Sequence, residues 1–245
     1  MPRTVVYSAL VLRSRHCGEN REVWLLTAEA GIIRATVFGG PKSRLRSHAA
    51  PFHSGQVWAY CDPVKDTRKI TDFDVQSWRP GIRELYERTM AGDAVAETIL
   101  AAHGGGGNWA ASLHLAEEVL DVIENSNEEL CSLALVYFLW SWAGLLGVQP
   151  QLERCAACGG EAAAGLLWYS TGEGGALCGN CAGGEKEGLL PLNPGCRRWF
   201  EAVRTLEPSQ VSSYTMDKKS FSEAKALTCA ILAEILGKRL ASWDW

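Results

Sequence analysis

The sequence predicts an α+β multidomain protein: a small all-β domain first, then an α-helical domain into which a cysteine-rich module is set. Three observations carry that reading. Short apolar runs rich in Val, Ile, Leu and aromatics fill residues 1–80, broken by turn residues. After Pro80 the apolar residues recur at helical spacing. Residues 153–190 hold two Cys-x-x-Cys pairs among many Gly and Ala, with too few large apolar side chains to build a core unaided.

Five strands are expected in the front domain: Thr4–Leu12, Arg21–Thr27, Ile32–Phe38, Val57–Cys61 and Lys69–Trp78. Glu29-Ala30-Gly31 reads as the turn between the second and third. Lys42–His48 leaves room for a helical turn between the third and fourth. This is the outline of an OB-fold barrel, assigned here to residues 1–80, although a five-stranded barrel of SH3 type has a similar pattern.

The helical domain is expected in two parts, 81–152 and 191–245, flanking the module at 153–190. Its helices are Ile82–Ala102, stopped by the four glycines Gly104–Gly107, then Trp109–Glu124 and the very apolar Leu130–Leu146. Ser126 and Glu129 fit a capping box, and Gly147 fits a C-terminal stop. Asn193-Pro194 opens the next helix as N-cap and first-turn proline. Ser220-Phe221-Ser222-Glu223 offers a capping box for a last helix running towards Leu240. Leu130–Val148 is long enough to span a bilayer, but Glu128, Glu129 and Glu153 flank it without a Lys/Arg cluster, so a buried core helix is expected.

The net charge of −4 hides an asymmetry. Residues 1–80 carry 12 Lys+Arg against 7 Asp+Glu, whereas the remainder carries 12 against 21. A basic front on an acidic chain points to an anionic partner for the front, and nucleic acid is the obvious one. The start of the sequence has no convincing export signal, so reduced thiols and a cytoplasmic setting are expected.

Cys155-Ala156-Ala157-Cys158 and Cys178-Gly179-Asn180-Cys181 are two knuckle-forming pairs with 19 residues between them. Two intervening residues let a tight turn aim both sulfurs at one tetrahedral ion, which is the spacing of a structural four-thiolate zinc site. One Zn2+ is therefore expected, with Gly159, Gly160 and Gly179 permitting the turns. Four protein sulfurs leave no open position for water or substrate, so catalysis at the metal is not expected. Cys17, Cys61, Cys131, Cys196 and Cys229 show no pairing logic and read as small apolar residues, mostly buried.

The densest cationic cluster is Lys42, Arg44 and Arg46, led by Gly39-Gly40-Pro41, with Arg34 before it and Arg13, Arg15 and Arg21 around the first turn. These seven are the expected DNA-binding residues, and Trp24, Phe38 and Trp58 are either stacking platforms or core. Arg197 and Arg198 form a second possible DNA contact, or a solvated helix face. The module is expected to pack rather than to touch DNA, because Glu153, Glu161, Glu173, Glu185 and Glu187 surround it. There is no P-loop, HExxH or GxSxG, and the histidines at 16, 48, 53, 103 and 114 form no ligand spacing, so no catalytic residue is nominated.

The arrangement resembles the RecO family of bacterial recombination mediators over nearly the whole chain. Gly18-Glu19 followed by Val23–Thr27 and Gly31 is similar to the family's opening hairpin, and Gly40, Lys42-Ser43-Arg44 and Pro51-Phe52 to its Gly…Lys-Ser-Arg…Pro-Phe stretch. Leu145–Leu152 with Leu-Gly-Val-Gln-Pro, then Cys155, Cys158 and Gly159, is similar to its apolar helix, turn and first zinc knuckle. Leu236-Gly237-Lys238-Arg239-Leu240-Ala241-Ser242 resembles its closing motif, with Ala241 where a basic residue is usual.

The resemblance implies an OB-fold, a helical domain and a four-cysteine zinc finger. It carries Cys155, Cys158, Cys178 and Cys181 over as zinc ligands, and Lys42 and Arg44 as the basic loop. It implies a non-enzymatic mediator, cytoplasmic and nucleoid-associated, that binds single- and double-stranded DNA and anneals complementary strands. Its implied partners are RecR and the C-terminal tail of single-stranded DNA-binding protein, and indirectly RecA, with no membrane. An OB/zinc-ribbon module acting on RNA, a metal-using hydrolase or nuclease, and a zinc-stapled scaffold without nucleic acid are the rival readings.

Overall fold

The computed structural model describes residues 4–39, 43–161, 165–183 and 188–245. Lys42, with Gly40 and Pro41, and Glu185 and Glu187 lie outside the described residues. The chain divides into two compact units, residues 1–131 with Trp245, and residues 132–244.

In the first unit β1 (Thr4–Cys17), β2 (Asn20–Thr27), β3 (Gly31–Val37), β4 (Ser54–Asp62) and β5 (Thr67–Ser77) close into a barrel of order β1-β2-β3-β5-β4. The β3–β5 pair is parallel, and the others are antiparallel. α1 (Arg44–His48) stands between β3 and β4. This five-stranded barrel with a helix after its third strand is the expected OB-fold. Alternation builds its core: Tyr7, Ala9 and Val11 face Val23, Leu25, Ile33, Ala35, Val37, Val57, Ala59, Ile70 and Phe73.

The opposite strand face is divided. Leu10, Leu12 and Leu26 are also buried, because α2 (Tyr86–Ala101) and α3 (Trp109–Glu124) pack on β1 and β2. A register shift between Val11 and Arg13 then bends β1, and beyond it the outer face turns to charged residues. At the β2–β3 turn Gly31 has φ +65, and a Cβ there would lie 2.9 Å from the Trp109 ring. Backbone conformation and space both require glycine at that turn.

The helix expected from Ile82 begins only at Tyr86. Arg79 is left-handed (φ 44), Pro80–Arg83 forms a short 3-10 turn, and Leu85 is extended (φ −127, ψ 140) before α2 starts. The buried Arg79 side chain fixes this detour. It donates from Nε to Asp121 Oδ1 at 2.6 Å and from Nη1 to the Phe52 carbonyl at 2.9 Å and Ser54 Oγ at 3.0 Å, so it ties the barrel to α3.

α4 (Glu128–Leu145) is capped by Asn127, whose Oδ1 accepts the Leu130 N–H at 2.9 Å. The capping box expected at Ser126 is absent: its hydroxyl instead donates back to the Val122 carbonyl at 2.6 Å, closing α3. At the other end Gly147 (φ +73) donates to Gly144 and Val148 donates to Ala143, a Schellman stop as expected. Among the described residues no helix is long and apolar enough to cross a membrane.

In the second unit β6 (Leu167–Ser170), β7 (Gly175–Leu177) and β8 (Leu190–Leu192) form a small antiparallel sheet of order β7-β6-β8. α5 (Pro194–Val203) and α6 (Lys218–Leu236) follow, and Phe138, Trp142, Trp199 and Trp243 are fully buried. Asn193 caps α5 as expected, accepting the Cys196 N–H at 2.9 Å. The last helix starts three residues before the expected Ser220, because Asp217 takes the N-cap and accepts from Lys219 and Ser220. Ser220 is instead buried inside the helix and donates to Asn193 Oδ1 at 2.9 Å, while Glu223 accepts the Asn193 N–H at 2.6 Å. These polar residues join the starts of α5 and α6 to each other.

Candidate nucleic-acid interface and metal centre

Strand register assembles the basic face of the barrel. Arg13 on β1 stands opposite Trp24 on β2, which stands opposite Arg34 on β3. In the next row Arg15 opposes Glu22, Glu22 opposes Thr36, and Thr36 opposes Lys69 on β5. Arg13 and Arg15 therefore lie on β1 as it runs into the first turn. Glu22 is nearly buried and holds two guanidinium groups: Arg15 Nη2 is 2.6 Å from Oε2, and Arg34 Nε is 2.6 Å from Oε1. Both arginine side chains remain 60% or more exposed, so they stay open to a ligand.

Aromatic rings alternate with these cations. Arg15 Cζ is 5.2 Å from the centre of the Trp24 ring, and Lys69 Nζ is 5.0 Å from that of Phe38, which is exposed. The β2–β3 face of an OB barrel is the surface that binds oligonucleotides in proteins of this fold. Among the described residues, Arg13, Arg15, Arg34 and Lys69 gather there around the Glu22 carboxylate, and Asp93 on α2 lies within electrostatic reach of Arg13. Lys69 was missed from sequence, because nothing local announces the parallel β3–β5 pairing that brings it alongside Thr36. Trp58, also weighed as a platform, is half-buried on β4.

Arg44 and Arg46, the described cations of the cluster at 42–46, point in different directions. Residues two apart on a helix point about 200° apart. Arg44 accordingly faces solvent and Arg46 faces inward. The buried Arg46 donates to the carbonyls of Glu19 and Gly39 at 3.3 and 3.4 Å and meets His16 Nδ1 at 3.0 Å. Arg21 donates to the Arg46 carbonyl at 2.9 Å, and burial, then the neighbouring Arg46 charge, hold its guanidinium below the usual pKa. Arg46 and Arg21 clamp the β1–β2 hairpin end to α1. Their guanidinium groups are turned to the protein.

In the second unit the sulfurs of Cys155, Cys158, Cys178 and Cys181 all lie within 4.8 Å of one another. A tetrahedron with metal–sulfur bonds of about 2.3 Å has sulfur–sulfur edges of about 3.8 Å, so the four can hold one ion with little contraction. Each pair sits on a tight turn: Gly159 donates to the Cys155 carbonyl and Ala182 to that of Cys178, both at 2.9 Å. The positive φ values fall at Gly159 and Gly183, not at the expected Gly160 or Gly179. The Cys178 N–H donates to Cys155 Sγ at 3.4 Å, and this bond is the main cause that lowers the Cys155 thiol to about 6. The three thiols around Cys181 push it the other way, to about 12. Among the described residues, the buried cluster at the sulfurs is Cys155, Leu177 and Ala182, with Trp168, Cys178 and Leu189 partly buried against it, a small core that a bound ion would cross-link. Of the five remaining cysteines, Cys131, Cys196 and Cys229 are buried as expected, Cys61 is half-buried and Cys17 is exposed.

Arg197 and Arg198 both lie on α5, half-buried and exposed respectively. Arg197 donates to the Gly165 carbonyl at 3.3 Å and lines a cavity of about 410 Å3 with Arg154, Arg204, Trp140 and Phe200. The Trp140 and Phe200 rings are 4.0 Å apart at their centres, and Glu153 pairs with Arg204 on the rim.

Comparison with known proteins now bears on both units. The family model described as Recombination protein O N terminal matches residues 1–77, and that described as Recombination protein O C terminal matches residues 83–244. The chain belongs to the RecO family. It is similar to the DNA repair protein RecO of Pelotomaculum thermopropionicum, at 34% identity over 71% of this chain and 66% of that one. The RecO of Rubrobacter xylanophilus is 30% identical over 83% of this chain and 82% of its own. That of Anaeromyxobacter dehalogenans is 26% identical over 97% and 94%. The N-terminal RecO model spans the barrel, and the C-terminal one spans the helices and the cysteine cluster.

Proposed function

We propose that this RecO-family protein is a non-enzymatic DNA repair and recombination mediator that binds single- and double-stranded DNA and anneals complementary strands. The row Arg13–Trp24–Arg34 across three strands of an OB barrel is the observation that carries this reading. Cations would neutralise the phosphates of two strands and lower their mutual repulsion, while base pairing itself supplies specificity. No ATP is needed for that. Arg13, Arg15, Arg34 and Arg44, with Lys42, are the proposed phosphate contacts. Arg21 and Arg46 act by holding the hairpin and α1 in place, and Arg197 and Arg198 are a secondary contact.

The four cysteines are proposed to hold one structural Zn2+, which their all-thiolate set favours and which would supply the cross-link that the small core lacks. The partners proposed are RecR and the tail of single-stranded DNA-binding protein, with RecA served indirectly, in a bacterial cytoplasm. The cavity is lined by Arg154, Arg197 and Arg204 against Glu153 and Glu201, with Trp140 and Phe200 packed together beside them, and its excess of one cation and its aromatic wall favour an anionic peptide.

The deciding experiment is annealing of two complementary labelled oligonucleotides without ATP across a salt series. Protein-dependent annealing that fades with salt is expected. A folded, zinc-loaded sample that neither binds nor anneals DNA at low salt would overturn the proposal.

A further inference from the structure

We propose that Trp78, with Arg44 and Arg83 at its sides, forms a second nucleic-acid seat that stacks an unpaired base of a single strand. This rests on the DNA-binding reading above; it shares Arg44 with the phosphate contacts named there and extends to a different part of the barrel surface, beyond the end of β5.

Trp78 is 44% exposed, although its ring is firmly held. Two buried imidazoles meet it in edge-on contacts: His48 at 5.1 Å and His53 at 4.9 Å between ring centres. Both imidazoles are oriented by backbone carbonyls. His48 Nδ1 lies 2.8 Å from the Phe73 oxygen, and His53 Nδ1 lies 2.9 Å from the His48 oxygen. Each Nδ1 must therefore carry the proton, which leaves each Nε2 as an acceptor. Arg44 Nε donates to His48 Nε2 at 3.2 Å, and Arg83 Nη1 donates to His53 Nε2 at 3.4 Å. Arg83 is fixed further by a 2.5 Å bond to the Pro51 carbonyl. The sequence thus builds two parallel chains, arginine to imidazole to backbone, with one indole against both imidazoles.

The arrangement leaves a held ring and two cations open to solvent. Part of a large ring is left wet, apolar area that a stacked base would remove from water. Among the described residues neither Arg44 nor Arg83 has a carboxylate within 4.0 Å, whereas Arg15, Arg34, Arg68, Arg79, Arg204 and Arg239 each do. A rigid aromatic face beside two anchored cations without counter-ions is what a nucleotide needs: the base stacks and the flanking phosphates meet the guanidinium groups. A duplex keeps its base faces covered, so the seat selects unpaired strands.

The test compares the affinity of the full-length protein for labelled oligo-dT and for a duplex of equal length, in the wild type, Trp78→Ala, Trp78→Phe and Arg34→Glu. Trp78→Ala should lose about fivefold or more for oligo-dT while keeping duplex affinity. Trp78→Phe should recover most of the loss. Equal losses for oligo-dT and duplex would overturn base stacking, as would failure of Trp78→Phe to rescue. Unchanged oligo-dT affinity in Trp78→Ala, with Arg34→Glu weakening both ligands, would sink this seat and leave the β2–β3 face standing. A wild type that binds neither ligand would instead remove the DNA-binding reading itself. Unchanged DNA affinity with weakened self-association in sedimentation would assign Trp78 to a protein contact.

Discussion

Glu22 Oε1 lies 2.6 Å from Arg34 Nε while its other oxygen takes Arg15, so one nearly buried carboxylate holds two exposed guanidinium groups on neighbouring strands. That carboxylate competes with any phosphate for the same donors. Removing its charge should raise DNA affinity. Glu22→Gln keeps an acceptor oxygen and should bind DNA about fivefold tighter at low salt, the gain shrinking as salt screens it. Fluorescence anisotropy over a salt series measures this. Weaker binding would mean that Glu22 serves mainly to orient the arginines.

Arg34 and Arg46 are separated by the structure into a surface cation and an internal clamp. Arg34→Glu should weaken binding to all sequences alike and reduce the salt slope by about one. Arg46→Ala should behave differently. It removes a buried side chain and its bonds to the Glu19 and Gly39 carbonyls, which water can then reach, and should cost about 1 kcal/mol of stability, seen as a lower Tm. A variant with full Tm and lost DNA affinity would return Arg46 to the contact surface.

The barrel and the cysteine cluster were legible because local signals carry them. Short apolar runs between turn residues marked the five strands that carry Val23, Leu25, Ile33 and Ala35 into the core, and Cys-x-x-Cys spacing marked the candidate metal centre. What could not be read depends on partners distant in sequence. Lys69 joins the basic face only through the parallel pairing of β5 with β3. Trp78 is braced by imidazoles 25 or more residues earlier. The capping boxes at Ser126 and Ser220 failed for a different reason: Asn127 and Asp217, better placed acceptors, stood nearby, and each serine had another use for its hydroxyl. The inward turn of Arg46 follows from the phase of the helical turn expected at Lys42–His48, although the cations there were grouped as one cluster.

Removing the metal should undo the finger first. A zinc-loaded sample is expected to hold one equivalent, and Cys178→Ser should lose it. Amide exchange should then rise most at the two knuckles and β7, because the cluster of Cys155, Leu177 and Ala182 at the sulfurs is small. Elemental analysis together with exchange mass spectrometry reads both effects. Full protection of residues 167–177 in a metal-free variant would show that packing, not the ion, holds the segment.

His53 gives the fold a defined acid sensitivity. Burial, foremost, lowers its pKa, and the nearby positive charges of Arg83 and Arg79 and the adjacent His48 act the same way, while the hydrogen bond to the His48 carbonyl opposes them. The folded state therefore resists a proton that the unfolded chain accepts near pH 6.5. Stability from this group is complete above that pH and is lost as pH falls through the lower folded value. Protonation would also turn His53 Nε2 from acceptor to donor and break its bond with Arg83. His53→Gln should lower Tm at pH 7.5 but lose less on going to pH 5 than the wild type does. If both proteins lose the same amount, the acid sensitivity lies in other groups.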